Sequence, residues 1–149
     1  MRQLTIEFSR YTFIDYGSGK GRVLLLAARY PFRRVIGVEM SAALNLAAAA
    51  NIAAYERRNP LQSRIELVAG DARNLAVPDE DLVAYFYNPF DEVVLRAVWD
   101  KLRASIMRRP RSLFVVYVNP MHRRLFDDSN ELRWIYDEPA VVVYRANFS

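Results

Sequence analysis

Short apolar runs alternate with longer stretches in which apolar residues recur at helical spacing, from about residue 12 to the end of the chain. Residues 12–16 form an aromatic and β-branched run that stops abruptly at Gly17-Ser18-Gly19-Lys20-Gly21, which predicts a strand followed by a turn. A helix is expected over 22–30, halted by Pro31. Residues 35–39 read as the second strand. Ser41 is placed to cap a helix running to Tyr55, with Leu44, Ala48, Ile52 and Tyr55 near one face and the alanines 47–50 favouring it. A third strand over 65–68 ends at Gly70-Asp71, and a loop containing Pro78 follows. The fourth strand, 82–87, is closed by Asn88-Pro89-Phe90. A helix over 91–107 presents Val94, Val98, Leu102 and Ile106 on its buried side. Residues 112–118 are almost continuously apolar, as in a central strand covered on both faces, and end at Asn119-Pro120. The last two strands, 132–136 and 140–145, have only residues 137–139 between them, too few for a parallel crossover, so they form an antiparallel hairpin.

This alternation predicts an α/β fold with a mostly parallel sheet, closed by a C-terminal hairpin. A chain of 149 residues is one ordinary domain, so any cofactor and any acceptor share a single core. With 52% hydrophobic, 13% aromatic and 26% charged residues, the chain can bury an interior and does not resemble a disordered one. The net charge of +4 comes from scattered arginines, with local pairs at Arg33-Arg34 and Arg57-Arg58. A denser group, Arg103, Arg108, Arg109, Arg111, Arg123 and Arg124, is read as a solvated face before it is read as a phosphate site. The absence of cysteine removes disulfides, thiolate nucleophiles and cysteine-ligated metals. No segment has the form of a secretory leader or a membrane span, so a cytoplasmic protein is the default expectation.

Candidate chemistry gathers at the carboxyl ends of the early strands, where an open α/β sheet places its ligand crevice. In Asp15-Tyr16-Gly17-Ser18-Gly19-Lys20-Gly21, the glycines let backbone approach a ligand, and the following helix start offers N–H groups to an anionic group such as a carboxylate. Asp15 could accept from a ligand ammonium or hold the loop. A dinucleotide fingerprint fails, because its third glycine would fall at Arg22. A phosphate-cradling P-loop fails too, because Ile14 and Gly21 occupy the positions of its first glycine and its hydroxyl residue. Glu39 ends the second strand, where an acid can accept from both hydroxyls of a ribose. Asp71 ends the third, where a carboxylate could receive the exocyclic amine of adenine.

Taken together, Phe13-Ile14-Asp15-Tyr16-Gly17-Ser18-Gly19-Lys20-Gly21, Val38-Glu39-Met40, Gly70-Asp71-Ala72 and Asn88-Pro89-Phe90 resemble successive motifs of class I S-adenosylmethionine-dependent methyltransferases, over nearly the whole chain. The resemblance implies a Rossmann-like, doubly wound seven-stranded sheet in a single methyltransferase domain, 1–149, with S-adenosyl-L-methionine as cofactor and no metal. It implies that Asp15, Gly17 and Gly19, with Ser18 and Gly21 in the same turn, hold the methionine part. Glu39 would hold the ribose, Met40 would pack on adenine, and Asp71 with the Ala72 backbone would read the adenine edge. Asn88, Pro89 and Phe90 would sit beside the departing methyl group as the catalytic set.

In amino methyltransferases acting on adenine, cytosine or glutamine, an Asn/Asp-Pro-Pro-aromatic motif positions the target amine through an amide oxygen and a backbone carbonyl. Here one proline is missing, and Phe90 follows Pro89 directly. The acceptor is therefore left open among protein, nucleic acid and small molecule, with an amine nitrogen as one option. His122, the only histidine, is a candidate base read first as a loop or helix-start residue, and of Tyr85 and Tyr87, which alternate along the fourth strand, at least one is read as core packing. Members of the family carry helices ahead of the first strand that cover the cofactor, but only about eleven residues precede it here. Either those parts are missing or an oligomer or partner subunit supplies the cover. The competing readings are a non-catalytic module that binds the cofactor or its nucleoside and acts through a partner, and a nicotinamide-dependent oxidoreductase, disfavoured by the glycine spacing and the hairpin.

Overall fold

The computed structural model describes residues 1, 4–88 and 90–147. In chain order these form β1 (Tyr11–Tyr16), α1 (Arg22–Ala27), β2 (Arg34–Glu39), α2 (Ala42–Glu56), β3 (Ile65–Ala69), β4 (Asp81–Tyr87), α3 (Glu92–Arg108), β5 (Leu113–Val118), α4 (Arg124–Asp127), β6 (Leu132–Glu138) and β7 (Val141–Ala146). One-turn 3-10 segments, Phe8–Arg10 and Ala72–Asn74, precede β1 and follow β3.

All seven strands form one sheet in the order β3-β2-β1-β4-β5-β7-β6. β1 to β5 run parallel, and β7 pairs antiparallel with both β5 and β6. The expected α/β architecture with a terminal hairpin is therefore present. The hairpin is tighter than its expected spacing: pairing continues to Glu138 and Val141, leaving only Pro139 and Ala140 as the turn. The strand order reverses between β1 and β4, which places a crevice at the carboxyl ends of these strands.

Two apolar layers clamp the sheet. Alternation along β1 sends Ile14 and Tyr16 toward α3, where they meet Val98, Trp99 and Leu102, and sends Phe13 to the opposite layer with Leu24, Val35 and Val83. Asp15 shares Phe13's face and pairs in register with Gly37 on β2 and Tyr85 on β4.

Both long helices begin as their sequences dictate. The Ser41 hydroxyl accepts the Leu44 N–H at 3.2 Å, and the Asp91 carboxylate accepts the Val94 N–H at 2.9 Å. Helix α1 stops at Ala27, three residues short of the expected end. The Tyr30 N–H turns to the Ala27 carbonyl, a three-residue reach, because the residue ahead of Pro31 is biased out of helical geometry. Helix α4 had no periodic signal to announce it, being four residues long, yet it buries Leu125 and Phe126. Phe126 packs there among Phe86, Trp99, Tyr117 and Tyr144. Among the described residues, no helix is long and apolar enough to cross a membrane.

Candidate active site

The turn after β1 is stapled to its neighbour strand. The N–H groups of Gly17 and Ser18 both donate to the Val38 carbonyl, at 2.8 and 3.0 Å, and Gly21 N–H closes the turn on the Ser18 carbonyl. Two of its glycines are required for different reasons. Gly19 has φ +54° with open space where a Cβ would point, so its backbone is bare toward a ligand. Gly21, at φ +85°, lets the start of α1 sit on α2, since a Cβ there would lie 3.3 Å from that of Ala48.

Beyond this turn lies a cleft of about 550 Å³. Asp15, Gly17, Ser18, Gly19, Glu39, Met40, Asp71, Ala72 and Phe90 line it, so the ends of β1, β2 and β3 and the segment after β4 converge as expected from their positions in the chain. Gly21 and Asn88 are not among the lining residues, and Pro89 lies outside the described residues. Tyr85, Tyr87, Lys20 and Arg22 also line the cleft. Tyr85 packs on the Phe13 ring as well, with centroids 5.8 Å apart, so the packing expected of at least one tyrosine holds for it, whereas Tyr87 is exposed at the wall.

The three acids differ in state. Asp15 is only 3% exposed, and burial, then the nearby Glu39 charge, pushes its carboxyl up to about 7. Burial, then Asp15 and Tyr87, likewise raise the Tyr85 phenol to about 12. Glu39 accepts the Gly19 N–H at 3.0 Å and the Ser41 N–H at 3.1 Å. Asn45 on α2 donates to the Glu39 carbonyl at 2.7 Å, a fixing contact that no motif announced. Asp71 is already engaged: Arg73 Nε lies 3.0 Å from both carboxylate oxygens and Nη2 lies 2.6 Å from Oδ2, while the Arg73 N–H reaches Oδ1 at 2.9 Å. These bonds hold the Asp71 carboxyl below its ordinary range, the side-chain bond to Arg73 contributing most. Lys101 on α3 donates to the Arg73 carbonyl at 3.0 Å and anchors this turn.

Helix α1 has only six residues, so its dipole is short, and Lys20 and Arg22 bring formal positive charge to the same end of the cleft. The Ser18 hydroxyl is buried against Gly37 of β2 and has no hydrogen-bond partner among the described residues. Asn88 adopts φ +39°, and its amide faces β5: Oδ1 accepts from the Tyr117 hydroxyl at 3.3 Å, and Nδ2 lies 3.1 Å from Met121 Sδ. His122 donates its backbone N–H to the same Tyr117 oxygen at 3.2 Å and does not line the cleft.

The arrangement offers an anionic floor, a bare backbone bend, an exposed methionine and an aromatic wall. The family model described as a methyltransferase domain matches residues 13–109. A comparison with curated proteins finds no match. Among solved structures, the chain is similar to the methyltransferase domain of the bacterial protein CtHen1, with 17% identity, 92% of this chain and 90% of that one covered, and a TM-score of 0.63. It is also similar to the ribosomal protein L11 methylase of Lactobacillus delbrueckii subsp. bulgaricus, with 14% identity, 98% and 72% coverage and a TM-score of 0.65. A third similar structure is the magnesium protoporphyrin IX methyltransferase of Synechocystis PCC 6803 with bound S-adenosylmethionine, at 14% identity, 90% and 68% coverage and a TM-score of 0.59. The family match spans more than half of the chain, and the chain accordingly belongs to the methyltransferase domain family, with a class I, Rossmann-like fold.

Proposed function

We propose that the chain binds S-adenosylmethionine in this cleft and transfers its methyl group to an acceptor with a nucleophilic atom, an amine nitrogen being one candidate. The observation that carries the reading is the convergence of Asp15, Glu39 and Asp71, from the ends of three neighbouring parallel strands, on a single cleft beside the bare Gly19 backbone. The donor set fits the cofactor's chemistry. Buried Asp15 suits a cationic ammonium, and Lys20 and Arg22 suit the carboxylate of the same amino-acid end. The fixed Glu39 carboxylate suits a ribose diol, while Met40, 67% exposed at the mouth, suits a flat base. Asp71 and the Ala72 backbone suit the base edge.

When bound, the cofactor supplies an activated methyl group on a sulfonium. The chain's part is then to bind, orient and keep water out. Tyr85, Tyr87 and Phe90 form the wall next to Asp15 and would exclude water from the transfer site and orient the acceptor. A second reading, a binding module without catalysis, draws support from Asn88, whose amide is turned to Tyr117 and Met121 and is absent from the cleft lining.

Calorimetric titration with S-adenosylhomocysteine and then with NAD tests the binding reading: saturable binding of the former alone is expected, and binding of NAD alone would overturn it. A labelled-methyl transfer assay against fractionated protein, nucleic acid and small molecules separates the two readings. Transfer to any fraction supports catalysis. Tight cofactor binding with no transfer to any of them supports the binding module.

A further inference from the structure

On the far side of Lys20 and Arg22 a second, more open groove of about 700 Å³ runs between α1 and α2. Arg57 and Arg58 stand along it with those two residues, beside the ring of Tyr55 and the amide of Asn51. Among the described residues, none of the four cations has a carboxylate within 4.0 Å, whereas eight other arginines each do. Glu56, the nearest acid in sequence, is exposed and does not line the groove. Four unneutralised cations held together repel one another, an arrangement that an anionic ligand relieves.

We propose that this groove binds single-stranded nucleic acid, with backbone phosphates on Lys20, Arg22, Arg57 and Arg58 and a base stacked on Tyr55. The groove sets an aromatic ring among the cations, which suits the bases and phosphates of a single strand. Its mixture of cations, one aromatic ring and side-chain amides matches how single strands are held, with charge tracking the backbone and a ring stacking a base. Lys20 and Arg22 line both the groove and the active-site cleft, so a strand lying in the groove leads to the edge of that cleft. In the cofactor-free chain strand binding does not depend on the cofactor reading, whereas with cofactor bound Lys20 and Arg22 would be shared with its carboxylate. The bearing of strand binding on the acceptor, which would then be a nucleobase or ribose of the strand, does depend on that reading.

Fluorescence anisotropy of a short labelled oligouridine, titrated with the full chain at several salt concentrations, tests the proposal, with oligothymidine separating RNA from DNA. Saturable binding is expected, with a log–log salt slope near about −3, from roughly −0.7 per phosphate contact on a single strand. Arg57→Gln combined with Arg58→Gln should weaken binding at least tenfold and bring the slope to about −1.4. Tyr55→Ala should weaken binding roughly fivefold or more at an unchanged slope. Binding of S-adenosylhomocysteine by the double variant should be unaltered, which shows that the fold persists. Absence of oligonucleotide binding, an unchanged slope in the double variant, or equal competition by polyglutamate or anionic vesicles overturns the proposal. Loss of S-adenosylhomocysteine binding by the unsubstituted chain, with strand binding intact, would overturn the proposed function and leave the groove standing.

Discussion

The Glu39 carboxylate accepts the Gly19 N–H at 3.0 Å with one oxygen while its other oxygen accepts the Ser41 N–H at 3.1 Å. One side chain thus fixes the glycine turn after β1 and the start of α2, and the same carboxylate is the proposed ribose acceptor. Removing it should damage both. Glu39→Ala is expected to weaken S-adenosylhomocysteine binding roughly a hundredfold or more, since hydrogen bonds to charged groups contribute about 1.5–3 kcal/mol each. Glu39→Gln keeps one acceptor oxygen and should lose less. Calorimetric affinities of the two variants decide this; equal, small losses would leave Glu39 with a purely structural role.

Asp15 gives a pH dependence whose sign follows from its environment. Its ordinary value is 3.8, and in the fold it stands at about 7, so folding favours the protonated form. Its contribution to stability is fully present below about pH 4 and is lost as pH rises through about 7. Asp15→Asn should therefore raise the melting temperature of the unliganded protein at pH 8, by an amount corresponding to roughly 2–4 kcal/mol at most, while weakening cofactor binding. A melting temperature unchanged or lowered at pH 8 would count against the buried, strained carboxylate.

Binding an ammonium next to Asp15 should also expel its proton. Below pH 7, S-adenosylhomocysteine affinity should fall about tenfold per pH unit, and titrations in buffers of different ionisation enthalpy should show close to one proton released. A flat pH profile would move the ammonium elsewhere in the cleft.

Asp71 was legible as an acid at the end of β3, but its partner was not. Arg73 occupies it through both carboxylate oxygens, so a base amine must displace or share one of these bonds. Asp71→Ala is expected to weaken S-adenosylhomocysteine binding about tenfold, whereas Arg73→Ala should change it by no more than about threefold. The reverse ranking of the two affinities would assign recognition of the base to the arginine.

Much of the molecule could be read from the chain. Strand positions followed from apolar runs ending at Gly-rich or Asn-Pro turns, and the hairpin followed from the short spacing of its strands. The acids at the ends of β1, β2 and β3 were legible because a parallel sheet aligns the carboxyl ends of its strands at one edge. Features that depend on tertiary contact were not legible. Helix α4 is too short for periodicity, and nothing in the alternation of Tyr85 and Tyr87 marks that both line the cleft, Tyr85 while also packed on Phe13. The Asn45 side chain fixes the Glu39 carbonyl from six residues away on a helix, with nothing in its local sequence to mark it.

Gly37 was another silent position. It lies mid-strand on β2 with ordinary extended backbone, yet an added Cβ would lie 2.5 Å from Leu24 Cδ1 and 2.7 Å from Ser18 Oγ. Gly37→Ala should therefore destabilise the fold by about 1–3 kcal/mol, through overpacking between β2 and α1. Thermal or urea unfolding of this variant checks the expectation, and unaltered stability would show that Leu24 and Ser18 can move aside freely.

The most direct measurement is a crystal structure of the chain with S-adenosylhomocysteine. The expected result places the ribose hydroxyls on the Glu39 carboxylate, the amino group beside Asp15 and the base between Met40 and the Asp71-Ala72 segment. A ligand seated outside this cleft, or bound within it with Glu39 and Asp15 making no contact, would contradict the assignment.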